Sequence, residues 1–193
     1  WLSKTLPPAA RGGVGDDAAV VSWRGDADLV VTTDALSDEV DFVLSEIDPR
    51  LAGHKALGVN LSDLAAMAAE PVAAVVSLVL PRGDDALPLA KALIEGMMPL
   101  AEGHAVAIVG GDTNTWQHPL VISVTAFGRA SSRGVLMRSG GRPGDALLAT
   151  GRFGGSLLGR HLHVEPRVAE ARLLRDRYEM HAGIDVSDGL ALD

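Results

Sequence analysis

Aspartate recurs in this chain where apolar runs give way to turns. Asp17, next to Asp16, borders residues 18–21; Asp34 follows residues 29–33; Asp112 follows residues 107–111; Asp185 and Asp188 sit in the stretch IDVSDG. If these ends converge, several carboxylates meet, and their mutual repulsion calls for divalent cations. Magnesium joins carboxylates to phosphate oxygens, so such a cluster would clamp a polyphosphate. Taken singly, each position has a structural alternative, because aspartate is favoured at turns and helix N-caps. Asp63 differs: in HKALGVNLSDLAAMAAE it stands inside an apolar helical stretch, three residues after Asn60 on a similar face, where aspartate is a poor helix former. The chain has no cysteine, which excludes thiolate sites and disulfides and leaves oxygen or imidazole to hold a metal.

Few basic residues stand ready for a phosphate. His54 and Lys55 lie in the same helical stretch as Asp63, while Arg138 and Arg142 lie in the glycine-rich MRSGGRPGD. Arginine's fork donates two parallel hydrogen bonds to a phosphate, so Arg138 reads either as a phosphate ligand or as a surface or interdomain salt bridge. His104, His118, His161, His163 and His181 show no spacing that would pair them on a metal. GGVGDD lacks the Gly-Lys-Ser/Thr of a P-loop and does not match the dinucleotide fingerprint; a tight turn before a strand is its plain alternative. GGDT, with Gly111, is either an anion-binding nest or a turn. GRFGGSLLG lacks the Gly-x-Ser-x-Gly spacing of a nucleophile elbow, so nothing argues for covalent hydrolysis.

The elements that must position these groups follow from periodicity. Residues 26–36 are rich in β-branched side chains and predict a strand with Asp34 at its carboxyl end. Asp48 as N-cap and Pro49 at the first helical position open a helix running to about Ala69, before Pro71. Residues 72–81 form a continuous apolar run, predicting a strand covered on both faces. A helical pattern over 84–104 is limited in continuous length by Pro88 and Pro99. Strands follow at 105–114 and 119–130, then a glycine- and proline-rich junction at 137–145. Beyond it, ALLATG predicts a strand and residues 167–178 an amphipathic helix. The order is strand, helix, strand, helix, strand, strand and then a new unit: mixed α/β with a boundary near residue 140.

With 47% hydrophobic residues the chain can bury a real core, and its formal charge of −8 would repel a phosphate backbone, so nucleic acid is not an expected partner. No run approaches the roughly 18 apolar residues of a membrane span, and the amino end lacks a signal-peptide pattern; a cytoplasmic protein is expected. The chain begins at Trp1 and stops at DVSDGLALD, where Gly189, Leu190 and Leu192 look like the opening of a helix, so truncation at both ends is expected.

Read together and in order, GVGDDAAVV, VTTDAL, GHKALGVNLSDLAAMAAEPVAAVVSLVLP, GGDTN, MRSGGRPGDALLATG and IDVSDGLALD resemble the thiamine-monophosphate kinases. These belong to a superfamily with aminoimidazole ribonucleotide synthetase, selenophosphate synthetase and a hydrogenase maturation factor. The resemblance covers nearly the whole chain and implies transfer of the γ-phosphoryl group of ATP to thiamine phosphate with several Mg²⁺ ions. By motif match it implies metal ligation by Asp17, Thr32, Thr33, Asp34, Asp63, Asp112, Asp185 and Asp188, through backbone carbonyl or hydroxyl at the threonines. It implies nucleotide contacts at Gly111, Asp112, Arg138 and Ser187. It also implies a homodimer whose amino-terminal domains, residues 1–136 here, pair sheets into a β-barrel. The resemblance further implies that a carboxyl-terminal α/β domain, expected to begin but be incomplete in residues 137–193, closes the site.

Asp41 departs from the pattern. It stands where many relatives carry a histidine that contacts the thiamine phosphate, so it is the expected substrate contact, and its carboxylate would repel that phosphate unless protonated or bridged by magnesium. Two other readings stay open: a different ATP-dependent synthetase of the superfamily, or a nucleotide-binding module without kinase activity.

Overall fold

The computed structural model describes residues 11–12, 16–21 and 27–193. Strand β1 (Arg11–Gly12) pairs with β2 (Ala19–Val21), β2 with β3 (Leu29–Ser37), and the chain then enters helix α1 (Pro49–Ala66). Strand β4 (Glu70–Pro81), helix α2 (Ala86–Gly103), strands β5 (Ala107–Trp116) and β6 (Val121–Arg129) and helix α3 (Val168–Arg177) follow. The six strands form one mixed sheet in the order β1-β2-β3-β6-β4-β5, antiparallel except for β4 and β5, which the α2 crossover makes parallel. The predicted strand, helix, strand, helix, strand, strand order over residues 26–130 is present, as is the mixed α/β class.

Strand parity decides what the helices cover. On β3, Val30, Thr32 and Leu36 are buried and Asp34 shares their side; on β6 it is Ile122, Val124 and Ala126; on β4 it is Ala74, Val76, Leu78 and Leu80. Against this face lies α1, apolar almost all round, with Ala52, Ala56, Leu57, Leu61 and Leu64 buried, and α2 packs on α1 through Leu93 and Met97. Asp48 opens α1 as expected, its Oδ1 accepting the Arg50 N–H at 2.9 Å with Pro49 at the first position.

Five expectations need correction. Helix α1 ends at Ala66 rather than Ala69, because the backbone turns left-handed at Ala68 (φ 52°) before β4. Strand β4 is covered on one face only: Val72 and Ser77 are exposed, and its apolar run reflects an outer face that is itself weakly apolar. Helix α2 continues through Pro99, which forfeits one backbone bond near its end without breaking it. Residues 146–151 form no strand, and Leu147 and Leu148 are exposed, since no neighbouring strand offers a ladder. The end of the chain, residues 187–193, is a turn with Gly189 at φ 125° rather than a helix opening. The amino-terminal glycine turn at 13–15 lies outside the described residues.

Candidate functional site

Two elements and two connecting segments bring carboxylates together on the helix-covered face of the sheet. Asp17 stands two residues before β2, Asp34 projects from β3, Asp63 from the last turn of α1, and Asp185 from the carboxyl-terminal segment. One oxygen each from Asp17, Asp63 and Asp185 lies within 4.8 Å of the other two. Hydroxyls hold the group: Thr32 Oγ1 donates to Asp63 Oδ2 (2.5 Å), Ser62 Oγ to Asp185 Oδ2 (2.9 Å) and Ser187 Oγ to the same oxygen (3.2 Å).

Arg138 closes the arrangement from the junction loop. Its Nε and Nη2 donate to the two oxygens of Asp17 at 3.1 and 2.5 Å, and its backbone N–H donates to Asp16 Oδ1 at 2.9 Å. The Asp17 side chain is 1% exposed and Arg138's is 42%, so the guanidinium caps a buried carboxylate from the solvent side. The salt-bridge reading of Arg138 is therefore realised, and among the described residues Nη1 of the fork meets no acceptor.

Burial and crowding raise the proton affinity of these acids. Asp63 is pushed up to about 8, first by desolvation and then by the charges of Asp34, Asp185 and Asp17, against the opposing Thr32 hydrogen bond. Desolvation likewise raises Asp185, with the Asp17 charge adding to it and the Ser62 bond opposing. It raises Asp34 as well, with Asp41 adding. Among the described residues, Arg138 is the cation bonded to this acidic group. The donor set fits a hard divalent cation: all ligating atoms are oxygens, negative charge is in excess, and repulsion is the force a cation would relieve.

The remaining predicted residues stand elsewhere. Thr33, one residue out of phase with Thr32, turns to the opposite face, where its hydroxyl donates to the Val124 carbonyl (3.1 Å) and meets Thr125 Oγ1 at 2.9 Å. Gly111 and Asp112 lie on the exposed edge strand β5, paired with Val76 and Ser77. Since Val76 is opposite Val124 and Val124 opposite Asp34, three strand spacings, roughly 14 Å, separate them from the cluster. Asp188 directs its backbone N–H, with those of Ser187 and Gly189, to Asp193 Oδ2 at 3.0–3.1 Å. These three N–H groups form a nest of the kind that accepts an anionic oxygen, here one of the Asp193 carboxylate. Asp41 uses its carboxylate to accept the Ser37 N–H at 2.7 Å.

Ser62 was missed by sequence reasoning, although it adjoins Asp63. The buried Asn60, noted in the sequence beside Asp63, donates Nδ2 to the Ala56 carbonyl, while its Oδ1 has no partner among the described residues. Two open clefts, one lined by Glu70, His104, Arg129 and Arg172 and one by His54, His163 and Arg167, share no residue with the acidic cluster.

Comparison with known proteins places this geometry in a family. The domain described as "AIR synthase related protein, N-terminal domain" matches residues 15–130, more than half of the chain. The chain belongs to that family. Among AIR synthase related proteins it is similar to the thiamine-monophosphate kinase of Rhodopirellula baltica, 45% identical over 99% of this chain and 61% of that one. It is also similar to that of Bacillus subtilis, 34% identical over 93% and 61%. A solved structure described as AaThiL complexed with AMPPCP and TMP superposes with a TM-score of 0.78 at 29% identity, covering 93% of this chain and 62% of that one. The thiamine-monophosphate kinase of Stenotrophomonas maltophilia does so with a TM-score of 0.72 at 34% identity, over 95% and 64%. The chain thus spans about three fifths of the length of these relatives, and the likeness read from the motifs extends along nearly all of it.

Proposed function

We propose that this chain is the nucleotide- and metal-binding part of an ATP-dependent kinase that phosphorylates thiamine phosphate, giving thiamine diphosphate and ADP. The observation that carries the reading is the meeting of Asp17, Asp63 and Asp185 beside Arg138 and the 187–189 nest, in a chain similar over its length to thiamine-monophosphate kinases. Asp17, Asp34, Asp63 and Asp185 would hold Mg²⁺, with Thr32 orienting Asp63 and Ser62 orienting Asp185. Bound Mg²⁺ would supply neutralisation of the charge on the phosphoryl oxygens. The nest around Ser187 and Asp188 would take a phosphate oxygen in place of the Asp193 carboxylate, and the Nη1 donor of Arg138 a second one. The acceptor is already an anion, so no strong general base is required of this chain; its residues position the reactants in line.

The homodimer reading accounts for the residues that lie apart. The outer face of the sheet, with Val72 of β4 and Thr33 of β3 exposed, suits sheet pairing into a barrel, and β5, bonded to β4 on one side, is an edge strand among the described residues. In such a dimer Gly111, Asp112 and Thr33 would serve the site at the junction of the two sheets. We assign residues 1–136 to the nucleotide-binding and dimerisation domain and 137–193 to the beginning of a second domain, whose exposed Leu147, Leu157 and Leu158 are apolar surface for further chain to cover. No helix of the described residues is long and apolar enough to cross a membrane, and the reading places the enzyme in the cytoplasm, where ATP is available.

The test is turnover of Mg-ATP by the full-length protein with thiamine phosphate, run beside thiamine and aminoimidazole-pathway substrates. Thiamine diphosphate and ADP in equal amounts from the first alone is the expected result. Product only from another acceptor would replace the kinase reading with a different member of the superfamily.

A further inference from the structure

Lys55 is a half-buried cation held by neutral partners. Its Nζ donates to the Asp41 backbone carbonyl at 2.6 Å and meets His161 Nδ1 at 3.1 Å, and no carboxylate of the described residues lies within ion-pair distance of it. Desolvation lowers its pKa, with the Asp41 charge opposing, so the site holds the ammonium at a cost that its local bonds must offset. The two bonds join parts of the chain far apart in sequence. Asp41 belongs to a tight turn after β3, in which the amides of Val40 and Asp41 bond to the Ser37 carbonyl, that of Glu39 to Phe42 and that of Leu44 to Asp38 Oδ1. His161 belongs to a short turn, Arg160–Leu162, of the carboxyl-terminal unit.

That turn is laid along one stretch of α1. His54 Nε2 meets the Val164 carbonyl at 2.9 Å, and Gly58 passes so close that a Cβ there would stand 2.8 Å from that of Val164. Lys55 lies two turns from Ser62 along nearly the same stripe of α1, since seven residues advance a helix by about 10 Å and almost complete two rotations. Lys55 therefore stands about two helical turns before the acidic cluster, beside the turn that presents Asp41.

We propose that Lys55 is a positioning residue: it pins the 37–42 turn to the 160–164 segment across α1 and so fixes the acceptor end of the site. This rests on the kinase reading only in naming that end as the thiamine phosphate side. Lys55 acts through the backbone of Asp41, and the Asp41 side chain stays with the Ser37 amide.

The test uses the full-length protein and the variants K55M, K55R and H161A. KM for thiamine phosphate should rise about tenfold in K55M with KM for ATP within about twofold, and K55R should recover most of the loss. H161A should raise the same KM by less, and K55M/H161A should be no worse than K55M, because both changes break one bridge. Hydrogen exchange at the amides of residues 39–44 should quicken in both single variants. An unchanged acceptor KM, or equal rises in both KM values, overturns the proposal. If thiamine phosphate is not turned over at all, the kinase reading fails, and exchange alone decides: unaltered protection of residues 39–44 in K55M and H161A overturns the bridge. H161A, altering a partly exposed side chain, keeps the test open should K55M fail to fold.

Discussion

Asp63 works against the helix that carries it. The Thr32 hydroxyl favours its charged form, yet burial and the neighbouring acids raise its pKa from 3.8 to about 8. The folded protein therefore keeps a proton there that the unfolded chain gives up near pH 4, so the stability linked to this group is fully present below about pH 4 and lost as pH rises toward 8. In chelator, the melting temperature should fall by several degrees between about pH 5 and pH 8, and Asp63→Asn should flatten that slope and melt above the wild type at the alkaline end. Identical slopes in thermal scans of the two proteins would contradict this. Asp63 was legible in the sequence because an acid inside an apolar helix has no local reason to be there. Thr32 and Thr33 could not be separated that way: strand parity sends one hydroxyl to Asp63 and the other to Thr125, and parity is set only once β3 has its register with β6.

Helix α1 is the element on which the site depends, since it carries Lys55, Ser62 and Asp63. It meets α2 at two glycines: a Cβ on Gly53 would collide with the Leu93 carbonyl and one on Gly96 with the Arg50 carbonyl. Backbone cannot yield as a side-chain tip can, so Gly53→Ala should destabilise the fold by about 2–3 kcal/mol, measured by urea unfolding. A loss within 0.5 kcal/mol would show the helices free to separate. The start of α1 was readable from Asp48 and Pro49, whose capping is local. Strand β4 and residues 146–151 were misjudged because apolar runs do not say what will cover or pair with them; β4 found partners on both edges, while 146–151 found none.

At the scale of the molecule, the sequence showed aspartates recurring at element ends without saying whether they meet, and the fold brings Asp17, Asp63 and Asp185 together. Asp17, Asp34, Asp63 and Asp185 come from separate elements that only the completed sheet and helix layer bring together, and Arg138 reaches Asp17 from 121 residues away. The position of Asp112 was not readable, because it depends on strand order: β6 inserts between β3 and β4 and leaves β5 at the far edge. If the converged carboxylates form a divalent-cation site, Mn²⁺ used as a Mg²⁺ surrogate and followed by electron paramagnetic resonance should bind the full-length protein saturably, and at least about tenfold more weakly in both Asp63→Asn and Asp185→Asn. Wild-type affinity in both variants would mean that these carboxylates hold no cation.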